Sequence, residues 1–376
     1  MSDRSVPTPL AVPFNDLKPK VAAHRASIDR AIARVLDSGY FILGPEVDAF
    51  EKELAAALGS KDAVSVANGT DAISLALEAR NIGPGDEVIT SPMSAAFSAL
   101  AISRLGATPV FGDIDPRTMN LDPSTIESLI TKKTRAILPV HLYGHPADID
   151  LFMEIAGRHN LIVVEDVCQA HGARYRSRPV GAITGMGALS FYPTKNLGGF
   201  GDGGAILVND PAEALLLRKL RNGGQSAKYQ HERLGANSRL DEIQAAILRE
   251  LLPTLDAETM RRRAIAERYF EAFRGLPLGL PEEQSYARAV YHLFVVRHPR
   301  RSGFMAALQG RGIGTLIHYP IALHLQGAYA SLGGKRGDRP VVEKAADEIV
   351  SLPVSPELTD AQVDTVIAAV RETAHL

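Results

Sequence analysis

GALSFYPTKNLGGFGDGGAILVN, residues 187–209, sets two short apolar runs, 187–192 and 204–209, on either side of a glycine-rich bend that carries one lysine, Lys195. Apolar runs of this length, closed off by Pro and Gly, read as strands. The same kind of run recurs upstream as AVSVAN (63–68), EVITS (87–91), TPVFGDI (108–114), RAILPV (135–140) and LIVVED (161–166). Between several of them lie helical patterns, including TDAISLALEAR (70–80) and the stretch 148–159. Strands that are continuous in Val, Ile and Leu are covered on both faces, so the sequence predicts a large α/β domain built on a mostly parallel sheet sheathed by helices.

After Asn237 the pattern changes. RLDEIQAAILRELLPTLDAETMRRRAIAERYFEAFRGL, residues 239–276, is rich in helix formers, is interrupted near Pro253, and in its later part carries charge blocks expected to face solvent. Beyond it come a strand-like YHLFVVRH (291–298), a helix near 303–309, a basic glycine loop GGKRGDR (333–339) and a closing helix from Thr359. These suggest a division into a large domain over 15–250 and a smaller α+β domain over 251–376, against which residues 1–14 pack.

Composition narrows the function. The chain has 376 residues, of which 45% are hydrophobic and 22% charged, and a net charge of −2, so it can bury a sizeable core and nothing steers it toward nucleic acid or an anionic membrane. A single cysteine, Cys168, excludes an internal disulfide framework and a cysteine-rich metal site, and is expected to pack rather than react. The N-terminal stretch is broken by prolines and charges, and no apolar run reaches bilayer length. The expectation is a cytoplasmic enzyme without a metal.

Lys195 lies 29 positions after Asp166, which ends the LIVVED run at the edge where open α/β sheets place their ligands. A lysine displayed in a bend beside a strand-end carboxylate suits an enzyme that holds an aldehyde cofactor as a Schiff base while the acid keeps the cofactor's pyridine nitrogen protonated. Pyridoxal 5′-phosphate is the cofactor this implies. Gly69 and Thr70 stand where AVSVAN meets a helix, a position whose N–H groups and hydroxyl suit a phosphate; the competing reading is a glycine turn with Thr70 as N-cap. For Asp166 the competing reading is a cap, and for Lys195 a surface lysine.

Several motifs occur together and in order: SGYFILGPEVDAFEKELAAALG, VANGTDAISLAL, GPGDEVITSP, GATPVFGDIDP, PVHLYG, EDVCQAHGA, FYPTKNLGGFGDGG, GANSRLDEIQAA and IHYPIALHLQGAY. With them the chain resembles the DegT/DnrJ/StrS family of sugar aminotransferases, pyridoxal phosphate enzymes of the aspartate aminotransferase fold. The resemblance implies that Gln169 lies near the cofactor's phenolic oxygen, that Ser190 binds its phosphate, and that Asn237 reaches the same phosphate from the neighbouring subunit of a homodimer. His171 either orients Asp166, stacks nearby, or is a core histidine. Where relatives carry an aromatic ring to stack on the pyridine, this chain reads PMSAAFSALA, with Phe97 the local aromatic and Ser94 to Ala96 the small alternatives, and no stacking residue is assigned.

The segment His141 to Gly144, Tyr192, and His318 with Tyr319 offer groups suited to sugar hydroxyls, and 225–235 reads as a loop over the site with Lys228, Tyr229 and His231 as contacts; ordinary turn and loop residues are the alternative. The implied reaction moves an amino group from L-glutamate, with glutamine as rival donor, to a nucleotide-linked keto sugar, with a 3-keto-6-deoxyhexose favoured over a 4-keto sugar or a keto-cyclitol. A non-catalytic, cofactor-binding regulator is the alternative of a different class.

Overall fold

The computed structural model describes residues 10–376. Two long N-terminal helices, α1 (Lys18–Ser38) and α2 (Pro45–Leu58), precede the first strand. The sheet strands are β1 (Asp62–Val66), β2 (Glu87–Thr90), β3 (Thr108–Phe111), β4 (Thr134–Leu138), β5 (Ile162–Val163), β6 (Glu165–Asp166), β7 (Met186–Ser190) and β8 (Gly204–Val208). They form two four-stranded groups, β3-β2-β4-β5 and β1-β8-β7-β6. The 161–166 run joins them: it breaks at Val164, whose N–H donates to the Ile137 carbonyl, while the Asp166 N–H donates to the Pro139 carbonyl. Only β8, antiparallel to both its neighbours, departs from the common direction. The α/β class with a mostly parallel sheet holds as the sequence predicts.

Alternate side chains sort to opposite faces. Val64, Ala136, Ala188 and Ile206 pack with α3 (Gly69–Ala79), α4 (Phe97–Arg104) and α6 (Pro211–Leu220). Ala63, Ile137, Leu189 and Leu207 pack with α2, α5 (Ile149–His159) and α7 (Glu242–Leu251). With helices on both faces, neither face is free to bind, and ligands are left the carboxyl ends of the strands.

A short hairpin, β9 (Gln225–Ala227) and β10 (Gln230–His231), stands out from the sheet. The interruption read at Pro253 is a 3₁₀ turn, Leu252–Thr254, leading into α8 (Leu255–Phe273). Antiparallel β11 (Phe294–Arg297) and β12 (Ile349–Leu352), with α9 (Arg301–Gly310), α10 (Pro340–Glu348) and α11 (Asp360–Thr373), complete the chain. The closing helix starts where the sequence places it, since Thr359 and Gln362 form a reciprocal capping box. Phe273, Phe294, Phe304, Ile313, Val350 and Val366 share a core of their own, into which Val12 is inserted. Of the N-terminal segment expected to pack there, residues 1–9 lie outside the described residues.

One expectation is corrected. The charge block of α8 does not all face solvent: Arg262 is 8% exposed and lies on the same stripe as Ala266, Tyr269 and Phe273. Helical period places positions 262, 266, 269 and 273 on one face, so an arginine in that register is carried inward with its neighbours. Among the described residues no helix is long and apolar enough to cross a membrane.

Candidate active site

Asp166 closes β6 and is buried. Its Oδ1 accepts from the Cys168 N–H at 3.1 Å and its Oδ2 from the Ser98 hydroxyl at 2.7 Å. Ser98 in turn lies 3.1 Å from the Ser94 hydroxyl. Each carboxylate oxygen is thus fixed in place by a donor.

Lys195 sits in the bend after β7, where its N–H donates to the Tyr192 carbonyl at 2.8 Å and the Gly199 N–H to the Phe191 carbonyl at 2.8 Å. The bend closes this tightly because Gly198 has no side chain: a Cβ there would lie 2.5 Å from the Pro193 carbonyl oxygen. Burial holds the Lys195 amine below the ordinary lysine range, opposed by the nearby Cys168 and Asp166. The Cys168 thiol is pushed well up by burial and by Asp166, which keeps it protonated and supports its reading as packing. His171 is fully buried, tilted against Phe191 at a ring distance of 6.0 Å, and pushed down to about 3 by burial and Lys195, so it is neutral. Neither of its ring nitrogens has a hydrogen-bond partner among the described residues and it is absent from the cavity wall, so of the three readings the geometry favours the core histidine over one that orients Asp166.

The start of α3 meets the end of β7. A Cβ on Gly69 would lie 2.7 Å from the Cβ of Ser190, so only glycine lets the helix terminus approach that hydroxyl. The cap belongs to Asn68, whose side chain accepts from the Asp71 N–H at 2.9 Å. Thr70, the capping residue of the competing reading, lies inside the first turn instead.

A cavity of about 710 Å³ opens over these groups, with Gly69, Thr70, Asp166, Gln169, Ser190 and Lys195 all in its wall. Tyr192, His318 and Tyr319 line it too, as does Phe97, which at 60% exposed is the aromatic side chain of the PMSAAFSALA stretch. Gln169 is fixed at both ends: its Oε1 accepts from the Tyr143 N–H at 2.8 Å and its Nε2 donates to the Tyr319 hydroxyl at 3.0 Å. Burial raises Tyr319 to about 12 and, together with Lys195, lowers His318 to about 4, so both rings are neutral near pH 7.

Four sequence candidates lie outside this wall. Lys228 and Tyr229 sit at the tip between β9 and β10, with the Lys228 amine 5.3 Å from the centre of the Tyr229 ring, which is 81% exposed. Asn237 is exposed and bridges antiparallel to Asn222. His231 binds the Gly223 carbonyl through Nδ1 at 2.7 Å. His141 is corrected as a sugar contact: it is fully buried, accepts from the Ala147 N–H through Nδ1 at 2.9 Å, and so donates from Nε2 to Glu165 at 3.1 Å. Sequence reasoning passed over Ser98 and His292. Ser98 repeats Ser94 at helical i, i+4 spacing just after a strand, a signal too common to single out.

Known proteins resemble the chain nearly end to end. Residues 23–371 match the DegT/DnrJ/EryC1/StrS aminotransferase family. The chain is 51% identical over 365 residues to a dTDP-3-amino-3,4,6-trideoxy-alpha-D-glucose transaminase of Streptomyces venezuelae, covering 97% of this chain and 96% of that protein. It is 47% identical to the erythromycin biosynthesis sensory transduction protein EryC1 of Saccharopolyspora erythraea, over 96% of this chain and all of the relative. Among solved structures, that of S. venezuelae DesV in complex with a ketimine intermediate superposes with a TM-score of 0.96 at 51% identity, covering 98% of this chain and all of the other. The fold and the lysine-bearing cavity define a pyridoxal phosphate-dependent aminotransferase. The chain belongs to the DegT/DnrJ/EryC1/StrS family of these enzymes.

Proposed function

We propose that this chain transfers the amino group of L-glutamate to the C3 keto carbon of a nucleotide-linked 6-deoxyhexose, working in the cytoplasm as a homodimer with shared active sites. The observation that carries the reading is the union, in one cavity, of an amine of lowered basicity, a doubly held carboxylate and a hydroxyl-lined helix start. That donor set fits pyridoxal phosphate: Thr70, Ser190 and the first N–H groups of α3 suit its phosphate, and Asp166 suits its ring nitrogen. Bound there, the cofactor supplies an electron sink for the charge left when a proton leaves the carbon bearing nitrogen.

The chain's own residues do the rest. Asp166, positioned by Ser98 and the Cys168 N–H, would keep a proton on the ring nitrogen. Gln169, locked between Tyr143 and Tyr319, orients the phenolic edge. Lys195, once free, would take the α-proton of the donor and deliver it to the carbon on the other side of the nitrogen, and its lowered basicity leaves a larger neutral fraction for that role near pH 7. In the second half the same lysine runs the shuttle backwards on the sugar ketone. Tyr192, His318 and Tyr319 contact the sugar, Lys228 and Tyr229 close over a neighbouring site, and Asn237 reaches the partner's phosphate. We also propose the division into domains at 250/251.

Incubating purified holoprotein with L-glutamate should convert the cofactor to its amine form and release 2-oxoglutarate. A dTDP-linked 3-keto-6-deoxyhexose should then be aminated at C3, read by NMR of the product. Amination of a 4-keto sugar alone would move the substrate assignment, and failure with every amino donor would favour a non-catalytic regulator.

A further inference from the structure

Thr194, His292 and His318, which line the main cavity, also wall a second and smaller recess of about 40 Å³. That volume holds roughly two or three water-sized groups, the bulk of a carboxylate. Its remaining lining includes Arg262, Asn15 and Ser355, with no acidic side chain. His292 is lowered by burial and by Lys195, as His318 is, so the guanidinium is the one fixed charge of the recess.

Arg262 differs from the arginines on either side of it. Arg261 binds the Asp360 carboxylate at 2.8 Å, and Arg263 binds Glu283 at 2.7 Å. Among the described residues Arg262 has no carboxylate partner: one terminal nitrogen reaches the Tyr291 and Val354 carbonyls at 3.4 and 3.3 Å, and Nε has no partner. The carboxylates of Glu258 and Glu357 attract it only from a distance, the first being engaged by Lys20 at 3.0 Å and the second by Ser355. A guanidinium stays charged in a protein, and a buried charge with neither counter-ion nor full hydrogen bonding is costly. Arg221, equally buried, illustrates the usual solution, since it is paired with Glu51.

We infer that this recess binds a carboxylate of the amino donor, with Arg262 supplying the counter-charge where Thr194, His292 and His318 line the recess and the main cavity alike. The inference rests on the transaminase reading above. It adds a reason why a dicarboxylate such as glutamate serves as donor: one carboxylate is anchored in the recess while the amino-bearing carbon remains on the Lys195 side. A keto sugar has no carboxylate for the recess, so the two substrates share the reacting position and differ in this anchor.

Glutarate, a dicarboxylate without an amino group, isolates the contact from the chemistry. Calorimetric titration of the wild-type holoenzyme should show glutarate binding, Arg262→Gln should weaken it roughly ten- to hundredfold, as loss of hydrogen bonds between charged groups does, and Arg262→Lys should fall between. Affinity for the keto sugar should be unchanged in both variants. If Arg262→Gln does not fold, as judged by circular dichroism, a crystal structure of wild-type holoenzyme soaked with glutarate decides: a carboxylate against Arg262 upholds the inference, and glutarate seated elsewhere, or not bound, overturns it. A wild type that turns over glutamate but binds glutarate no better than Arg262→Gln overturns this inference alone. A wild type inert toward every amino donor overturns the transaminase reading instead.

Discussion

The sheet edge and the 225–237 segment present functional candidates in opposite ways. At the sheet edge Asp166, Ser190 and Lys195 lie in or beside strands, and each is fixed by neighbours from the same chain, such as Ser98 on Asp166 and the Tyr192 carbonyl on the Lys195 N–H. In the second region Lys228, Tyr229 and Asn237 are exposed on a short hairpin and the strand-like stretch after it, with Leu234 beside them 91% exposed. The first region is a finished site. The second is a set of polar and apolar side chains turned to solvent, held to the chain by a few local contacts such as the Asn222–Asn237 bridge and the His231 bond to Gly223.

The largest effect that could break this contrast comes from Lys195→Ala. Turnover should be abolished, and the visible absorption of lysine-bound cofactor should disappear while circular dichroism stays that of wild type. Mixing this variant with Asn237→Ala sharpens the contrast. If Asn237 serves the opposite subunit, the mixed dimer has one site lacking both groups and one lacking neither, so at limiting cofactor activity should return above the sum of the separate variants. Activity equal to that sum, with mixed dimers shown by native mass spectrometry, would place Asn237 with its own chain.

Next in size is Asp166→Ala. Cofactor should still attach to Lys195, but the glutamate half-reaction followed by stopped-flow absorbance should slow by a factor on the order of 10²–10⁴, the range of a positioned acid–base group. A near-normal rate would demote Asp166 to a cap.

The smallest effect belongs to Ser98→Ala, which removes one of two donors to Asp166. A hydrogen bond to a charged group contributes about 1.5–3 kcal/mol, and the Cys168 N–H remains, so a loss of roughly tenfold in the half-reaction rate is expected. Little change in glutarate affinity should accompany it. A rate indistinguishable from wild type would show that the backbone donor alone fixes the carboxylate.

Legibility followed chain locality. The strands around Lys195, the helix from 70 to 80 and the capped start at Thr359 could be read because period, Pro, Gly and capping residues act within a few positions. Lys195 and Asp166 could be paired because both punctuate strands of one sheet. Ser98 was not readable, since its partner is 68 residues away in sequence. Arg262 was misread because a run of three arginines looks like a solvated block, although the helical register decides which of the three turns inward. His171 and His141 carried no sign of their surroundings, and the fold made one an unpartnered ring and the other a ligand of Glu165.

By itself, then, the sequence determined the mostly parallel sheet, the glycine bend that displays Lys195 and the strand end that displays Asp166, because hydrophobic period and backbone conformational freedom are properties of neighbouring residues. Only the tertiary structure decided which hydroxyl supports Asp166, which aromatic ring borders the cavity and that an arginine of α8 stands without a counter-charge in a recess that Thr194 also lines. Those facts depend on segments far apart in sequence being packed together, where burial and the supply of hydrogen-bond partners set the state of each group.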